Sequence, residues 1–141
     1  MDKVQDCSIT EVVLECIRNG ASPEEIQVED ISLPDYMNYL LGRRDIPLSI
    51  LAELVGINRA TLYKILSGNT NPSRNLMIRF GLELQISYHE MQMLLKLSSC
   101  AALSGTRRRD IFIINAIENR QSIGMLEDLL KKHNLESILT R

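Results

Sequence analysis

The chain has 141 residues, of which 45% are hydrophobic, and its formal net charge at pH 7 is −2. This length supports one buried core of ordinary size and excludes two large domains. The sequence has no run of about 20 apolar residues, and its first residues lack a secretory apolar segment, so we expect a cytoplasmic protein with no membrane partner. The three cysteines are far apart and outside any C-x-x-C motif, which favours reduced thiols over a disulfide framework or a zinc site: Cys7, Cys16 and Cys100.

Charge is distributed unevenly and divides the chain into three predicted parts. Residues 1–33 carry two basic and eight acidic side chains and form a predicted acidic helical arm. Residues 34–97 carry seven basic and five acidic side chains, and residues 98–141 carry the same numbers. We interpret residues 34–97 as the main domain and residues 98–141 as a C-terminal helical hairpin.

Apolar residues recur at spacings of three and four along nearly the whole chain, which predicts an all-α fold. In the arm, helices are predicted over residues 8–18 and from Ser22 onward. The helices predicted in the main domain cover about residues 32–42, 47–55, 58–66 and 72–84, and a further one begins at Ser87. The hairpin is predicted as helices over 107–119 and 122–133, capped by Thr106 and Ser122.

The most informative segment is residues 51–65, which read LAELVGINRATLYKI. Ala52 is a small residue where two helices can cross closely, and Gly56 can accept a left-handed backbone in a tight turn. The two residues are four positions apart, about one helical turn. The apolar residues that would hold such a helix pair on a core are Leu51, Val55, Ile57, Leu62 and Ile65.

This segment resembles the lambda-repressor and Cro-like helix-turn-helix family, also called the XRE family of bacterial regulators. The resemblance extends through residues 67–69, 71–73 and 84–87. It implies a five-helix DNA-binding domain with additional helices at both ends and a function in regulating transcription. It also implies that the partner is double-stranded DNA, bound by a homodimer on a partly palindromic site with half-sites about 10 base pairs apart.

The resemblance further implies which residues contact DNA. Helix 58–66 would lie in the major groove, where the guanidinium of Arg59 could donate two hydrogen bonds to guanine. The other predicted contacts are Ser49, Asn58, Ala60, Thr61, Tyr63, Lys64, Asn69 and Asn71. One position departs from the family pattern, because Pro47 and Leu48 stand where many members have a Ser or Thr cap followed by Gln. Ser49 is the candidate replacement for that phosphate contact.

The sequence also bears on two other functions. A protein-interaction adaptor could keep the helix-turn-helix scaffold without binding DNA and engage a protein partner through the terminal helices. An enzyme is disfavoured because the phosphate-loop, nucleophile-elbow and zinc-protease motifs are absent from the sequence. We therefore predict no catalytic residue, no metal site and no cofactor. His89 and His133 are interpreted as structural or surface residues, and Arg107–Arg109 as a solvated group with phosphate or partner contact as the alternative.

Overall fold

The computed structural model describes residues 13–14, 16–25 and 31–140, and this part of the chain is helical without any β-strand. The prediction of an all-α fold is therefore confirmed for it. Residues 13–14 and 16–18 are helical, and Pro23–Glu25 form a 3-10 helix. The α-helices that follow are α1 Leu33–Gly42, α2 Leu48–Val55, α3 Arg59–Leu66, α4 Arg74–Glu83, α5 Tyr88–Leu97, α6 Arg108–Glu118 and α7 Ile123–Lys132. Most of the predicted acidic arm, including the start of its first helix, lies outside the described residues.

Side-chain caps fix where most of these helices begin. The first-turn N–H groups of a helix have no partner within the helix, and a short polar side chain at the N-cap accepts from one of them. The residues that do so are Ser32, Asn58, Ser73, Ser87 and Ser122. At α5, a carboxylate oxygen of Glu90 also accepts from the Ser87 N–H at 2.8 Å, which completes the predicted capping box.

The predicted cap of α6 is wrong. Arg107, not Thr106, occupies the N-cap position, and it makes no side-chain hydrogen bond there. The Thr106 N–H donates to the hydroxyl of Ser104 at 3.2 Å, and the two hydroxyl oxygens are 2.7 Å apart. The nearby serine therefore engages Thr106 in a local turn before the helix begins.

Helix α4 lies at the centre of the fold. Its residues 75–82 are all buried, and it packs against α2, α5 and α7. Helix α1 packs against α3 and α5, and α6 packs against α5 and α7. Helix α4 contacts both the helix pair α2–α3 and the C-terminal hairpin. It therefore connects residues 51–65, the most informative segment of the sequence, to the C-terminal part of the chain.

One hydrophobic core extends across the predicted boundary between residues 97 and 98. The C-terminal residues that join the buried cluster of the main domain are Leu103, Ile113, Ala116, Ile117, Ile123, Leu126, Leu130 and Ile138. The hairpin is thus packed onto the main domain over a shared apolar core. Among the described residues, no helix is both long enough and apolar enough to cross a membrane.

Buried ionic and polar contacts fasten the hairpin to α4. Arg74 faces Asp110 with two hydrogen bonds, Nη1 to Oδ1 at 3.2 Å and Nη2 to Oδ2 at 3.0 Å. Its Nε also donates to the carbonyl of Ala101 at 2.8 Å. Asp110 is 2% exposed. This planar pairing neutralises a carboxylate that would otherwise be buried alone.

The interpretation of Arg107–Arg109 as a solvated group is wrong for Arg109. Arg107 and Arg108 are exposed, but Arg109 is half-buried. Its guanidinium donates to Asn75 Oδ1 at 2.8 Å and to the carbonyls of Glu136 and Ser137 at 3.0 and 3.1 Å. Burial lowers the pKa of Arg109, since the charged form loses hydration there. This arginine is therefore a structural link between α6, α4 and the end of the chain.

The last described residues, 135–140, form a segment that we call the C-terminal strap. Besides Arg109, three further side chains bind it: Asn75 donates to the carbonyl of Thr140 at 3.1 Å, Arg79 donates to the carbonyl of Ile138 at 2.7 Å, and Glu127 accepts from the Ile138 N–H at 2.9 Å. Burial alone would raise the pKa of the Glu127 carboxyl, but hydrogen bonds from Ser137 and Ile138, together with the nearby Lys131 ammonium, outweigh it and hold that pKa below its usual range.

Candidate nucleic-acid interface

Helices α2 and α3 are joined by a three-residue turn whose geometry depends on Gly56. This glycine has φ +82° and ψ +31°, a left-handed conformation. The following N–H, that of Ile57, donates to the carbonyl of Ala52 at 3.0 Å. Ala52 is 2% exposed, as expected of a small residue at a close helix crossing. The predicted roles of Ala52 and Gly56 in the turn thus agree with the geometry.

Replacing Gly56 by alanine is expected to lower the free energy of unfolding by about 1–2 kcal/mol, because an L side chain is strained at this φ. A Cβ at this position would meet no atom within 4 Å, so the effect is conformational and not steric. Gly42 is a matched control with equally free space and no positive φ, and its alanine variant should be unchanged or slightly more stable. Urea unfolding of both variants checks this, and equal losses would contradict it.

Helix α3 buries one face and exposes a basic and polar one. Leu62 and Ile65 are 1% and 2% exposed and fix the helix on the core. The residues on the exposed face are Arg59, Ala60, Tyr63 and Lys64. Helix α3 contains no acidic residue. Four of the predicted DNA-contacting residues therefore share one accessible, positively charged face.

Arg59 and Tyr63 form a pair on that face. The guanidinium carbon of Arg59 lies 5.8 Å from the centroid of the Tyr63 ring, one turn further along α3. Such stacking stabilises a guanidinium over a ring and limits the orientations of its donor edge. Arg59 is thereby held at the beginning of the helix, while its donors stay on the exposed side.

Asn58 and Thr61 are engaged in capping α3. The Oδ1 atom of Asn58 accepts from the Thr61 N–H at 2.7 Å and from the Thr61 hydroxyl at 2.8 Å. These atoms start the helix and orient its first turn. A DNA contact by Asn58 would therefore use its amide nitrogen, which makes no hydrogen bond within the described part of the chain.

The remaining predicted contacts flank the helix pair. Asn69 follows α3, where its Nδ2 donates to the Ser67 hydroxyl at 3.1 Å and its N–H donates to the Lys64 carbonyl at 2.9 Å. Asn71 is exposed in the next turn of the loop. Ser49 is exposed in the first turn of α2, which begins at Pro47 without a side-chain cap. All three are accessible, although Asn69 is held by its own loop.

Two other connections between consecutive α-helices of the described chain share the geometry and the capping pattern of the α2–α3 turn. At the α4–α5 turn, Gln85 has φ +54° and the next N–H donates to Gly81 at 3.1 Å. At the α6–α7 turn, Arg120 has φ +51° and the next N–H donates to Ala116 at 2.9 Å. Each turn has a small residue four positions before the left-handed one and a cap two positions after it. The turn alone therefore does not distinguish a DNA-reading pair.

The second helices of these three pairs, α3, α5 and α7, differ in the exposure and charge of their outer side chains. In α5, Tyr88, His89 and Gln92 are only half exposed, and α6 packs against this helix. Helix α7 exposes Asp128 on its outer side. Of the three, α3 combines an accessible face with a purely positive charge. This comparison supports α3 as the candidate reader.

Sequence reasoning missed the structural role of two arginines in the main domain. Arg79 is 6% exposed, and the Arg74 side chain is 20% exposed and paired with Asp110. Both were counted toward the positive charge of residues 34–97, yet neither is free on the surface. No local pattern marks them, because their partners lie at least 24 positions away along the chain. The positive charge that can attract phosphate is accordingly concentrated on fewer residues.

The described residues contain no group of three or more metal-binding side chains that could hold an ion. Searches with this chain against protein-family models, curated proteins and solved structures found no significant match. The resemblance to the lambda-repressor-like family therefore rests on the motif residues of the sequence.

Proposed function

We propose that this protein is a sequence-specific, double-stranded DNA-binding regulator of transcription, with α3 as the recognition helix in the major groove. The observation that carries the proposal is the exposed, purely basic face of α3, set on a helix pair with a Gly56 turn. The proposal includes a five-helix lambda-repressor-like domain formed by α1–α5, and a homodimer that places two copies of α3 about one turn of DNA apart.

The amino end of α2 supports the proposal. Pro47 provides no side-chain cap, so the first-turn N–H groups of α2 keep no partner within the helix. Such N–H groups and the helix dipole favour a phosphate. Together with the exposed Ser49 hydroxyl they can supply the contact that family members make through Gln. The departure from the family pattern at Pro47 and Leu48 is therefore compatible with DNA binding.

The test is selection from a randomised duplex DNA library with the unaltered chain and with Arg59→Ala, at two salt concentrations. We expect a two-fold-symmetric site for the unaltered chain and a loss of about 1–3 kcal/mol of preference at one base pair per half-site for Arg59→Ala. Affinity should fall as salt rises, because phosphate contacts release counterions.

Arg108→Ala is the matched control. Like Arg59, Arg108 is the exposed first residue of its helix and lies over an aromatic ring four residues later, 5.6 Å from the centroid of Phe112. The Arg108→Ala variant should keep both the affinity for DNA and the preference for the selected DNA site. Equal losses for the two variants, or no enriched site for the unaltered chain, would reject the proposal.

One observation favours the adaptor as a second candidate function. Ile50 and Leu54 lie four residues apart on the outer side of α2 and are 47% and 48% exposed. Apolar side chains grouped in this way mark surfaces that bind other proteins. If the library selection finds no site, a Leu54→Glu variant that abolishes binding of a protein partner would support the adaptor.

A further inference from the structure

A groove of about 630 Å³ lies beside the α2–α3 turn. Its walls come from that turn, the loop before α4, α4 itself and the C-terminal strap. The apolar part of the wall consists of Ile57, Ile65, Pro72, Leu76 and Leu139. A volume of this size is typical of sites that hold small organic molecules.

Arg79 is the one charged side chain among the described residues that line this groove. It is 6% exposed. Its Nε donates to the carbonyl of Val55 at 2.8 Å, and its Nη1 donates to the carbonyls of Ile138 and Thr140 at 2.7 and 3.2 Å. Nη2 makes no hydrogen bond within the described part of the chain, and no carboxylate there pairs with this guanidinium. Among the described residues, this guanidinium therefore has one donor group without an acceptor.

The surroundings of Arg79 favour an anion. Burial lowers the pKa of Arg79 because its charged form loses hydration, and a bound anion would compensate for that loss. Asn58 and Ser73, the N-caps of α3 and α4, line the same groove. The positive ends of both helices therefore meet the groove from two sides. No acidic side chain is among the described lining residues to oppose an anion.

We propose that this groove binds a small organic acid, whose carboxylate accepts from Nη2 of Arg79 and whose apolar body packs against Ile57, Ile65 and Leu76. A DNA phosphate fits less well, since a duplex contacts protruding donors whereas Arg79 is recessed behind the helix pair. A phosphate also has no apolar part that could pack against the apolar wall of the groove. The site stands on these residues alone and does not depend on whether the chain binds DNA.

The experiment is a titration of the full-length, ¹⁵N-labelled protein with hexanoate, followed by NMR. Hexanamide is the matched neutral probe, and inorganic phosphate is the matched anion without an apolar body. For hexanoate we expect saturable shifts at residues 56–58, 72–76 and 139, with a Kd on the order of 1 mM. Hexanamide should bind at least about tenfold more weakly, since it lacks the charge.

Two variants test the site itself. Arg79→Lys keeps the charge but lacks the guanidinium fork, and it should weaken hexanoate binding about tenfold. If Arg79→Lys does not fold, Leu139→Glu replaces it as the test. Leu139 is 56% exposed, so the fold should tolerate the change, and a carboxylate there would repel hexanoate. Arg108→Ala, remote in sequence from every lining residue, should leave hexanoate binding unchanged.

Three results would overturn the proposal: equal affinity for hexanoate and hexanamide, tighter binding of phosphate than of hexanoate at these residues, and hexanoate shifts confined to exposed arginines. None of these readouts involves DNA, so failure here and failure of the proposed regulator function are separate outcomes.

Discussion

Replacing Arg74 by alanine is expected to lower the free energy of unfolding by about 3–5 kcal/mol, since it leaves a buried carboxylate without its counter-charge. Of its hydrogen-bond donors in the described part of the chain, Asp110, at 2% exposure, would keep only the Ser104 N–H, at 3.0 Å. The carbonyls of Ala101 and Ala102 would lose their guanidinium donor as well. Urea unfolding followed by circular dichroism measures the loss.

Arg43→Ala is the control for this prediction. Arg43 pairs with Glu90 at 2.6 Å, and the two side chains are 41% and 12% exposed, against 20% and 2% for Arg74 and Asp110. Water therefore replaces more of the lost interaction, and Glu90 keeps the Ser87 N–H as a donor. We expect a loss of no more than about 1 kcal/mol. The double replacement Arg74→Met with Asp110→Leu should recover most of the stability lost in Arg74→Ala, because neither charge is then buried alone. Similar losses for Arg74→Ala and Arg43→Ala would show that burial does not determine the energy of this pair.

Arg79→Met is the second variant for which we expect a large effect, a loss of at least about 2 kcal/mol in the free energy of unfolding. Methionine approximates the length of the side chain but leaves the carbonyls of Val55 and Ile138 without the donor that Arg79 supplies, while the Thr140 carbonyl keeps Asn75. Because Val55 is the last residue of α2, we also expect faster amide hydrogen exchange at Ile57 in the adjoining turn.

Glu127→Gln is a control that loosens the C-terminal strap without touching the contact between Arg79 and α2. Glu127 holds the strap through the Ile138 N–H and the Ser137 hydroxyl, and it makes no contact with α2. Its variant should speed exchange at the Ile138 amide and leave the Ile57 amide protected. If Arg79→Met also left Ile57 protected, the strap and the helix pair would be independent of each other.

Features set by neighbouring residues could be predicted from the sequence. The Gly56 turn, the Asn58 cap and the Ser87–Glu90 capping box each depend on side chains within four positions of one another, so their residue types indicate their geometry. The exposed face of α3 follows from the same local pattern, since Leu62 and Ile65 fix which side is buried.

Features set by distant residues could not be predicted. Arg79 and Arg109 look like surface charges in the sequence, but carbonyls of the strap, 27 to 61 positions away, accept their hydrogen bonds. The left-handed residues of the α4–α5 and α6–α7 turns are Gln85 and Arg120. Unlike glycine, these residue types do not indicate a positive φ in the sequence. The recurrence of the turn therefore becomes visible only in three dimensions.

The contacts of Arg79 also bear on how the protein is made. Residues 138–140 are synthesised about sixty positions after Arg79, and until then its guanidinium has neither of its strap partners. Helices α2 and α3 leave the ribosome earlier, with α4 still lacking the hairpin and the strap that cover it. The nascent chain therefore carries an incompletely buried arginine next to the α2–α3 pair, and the mature arrangement forms only once translation has reached the strap.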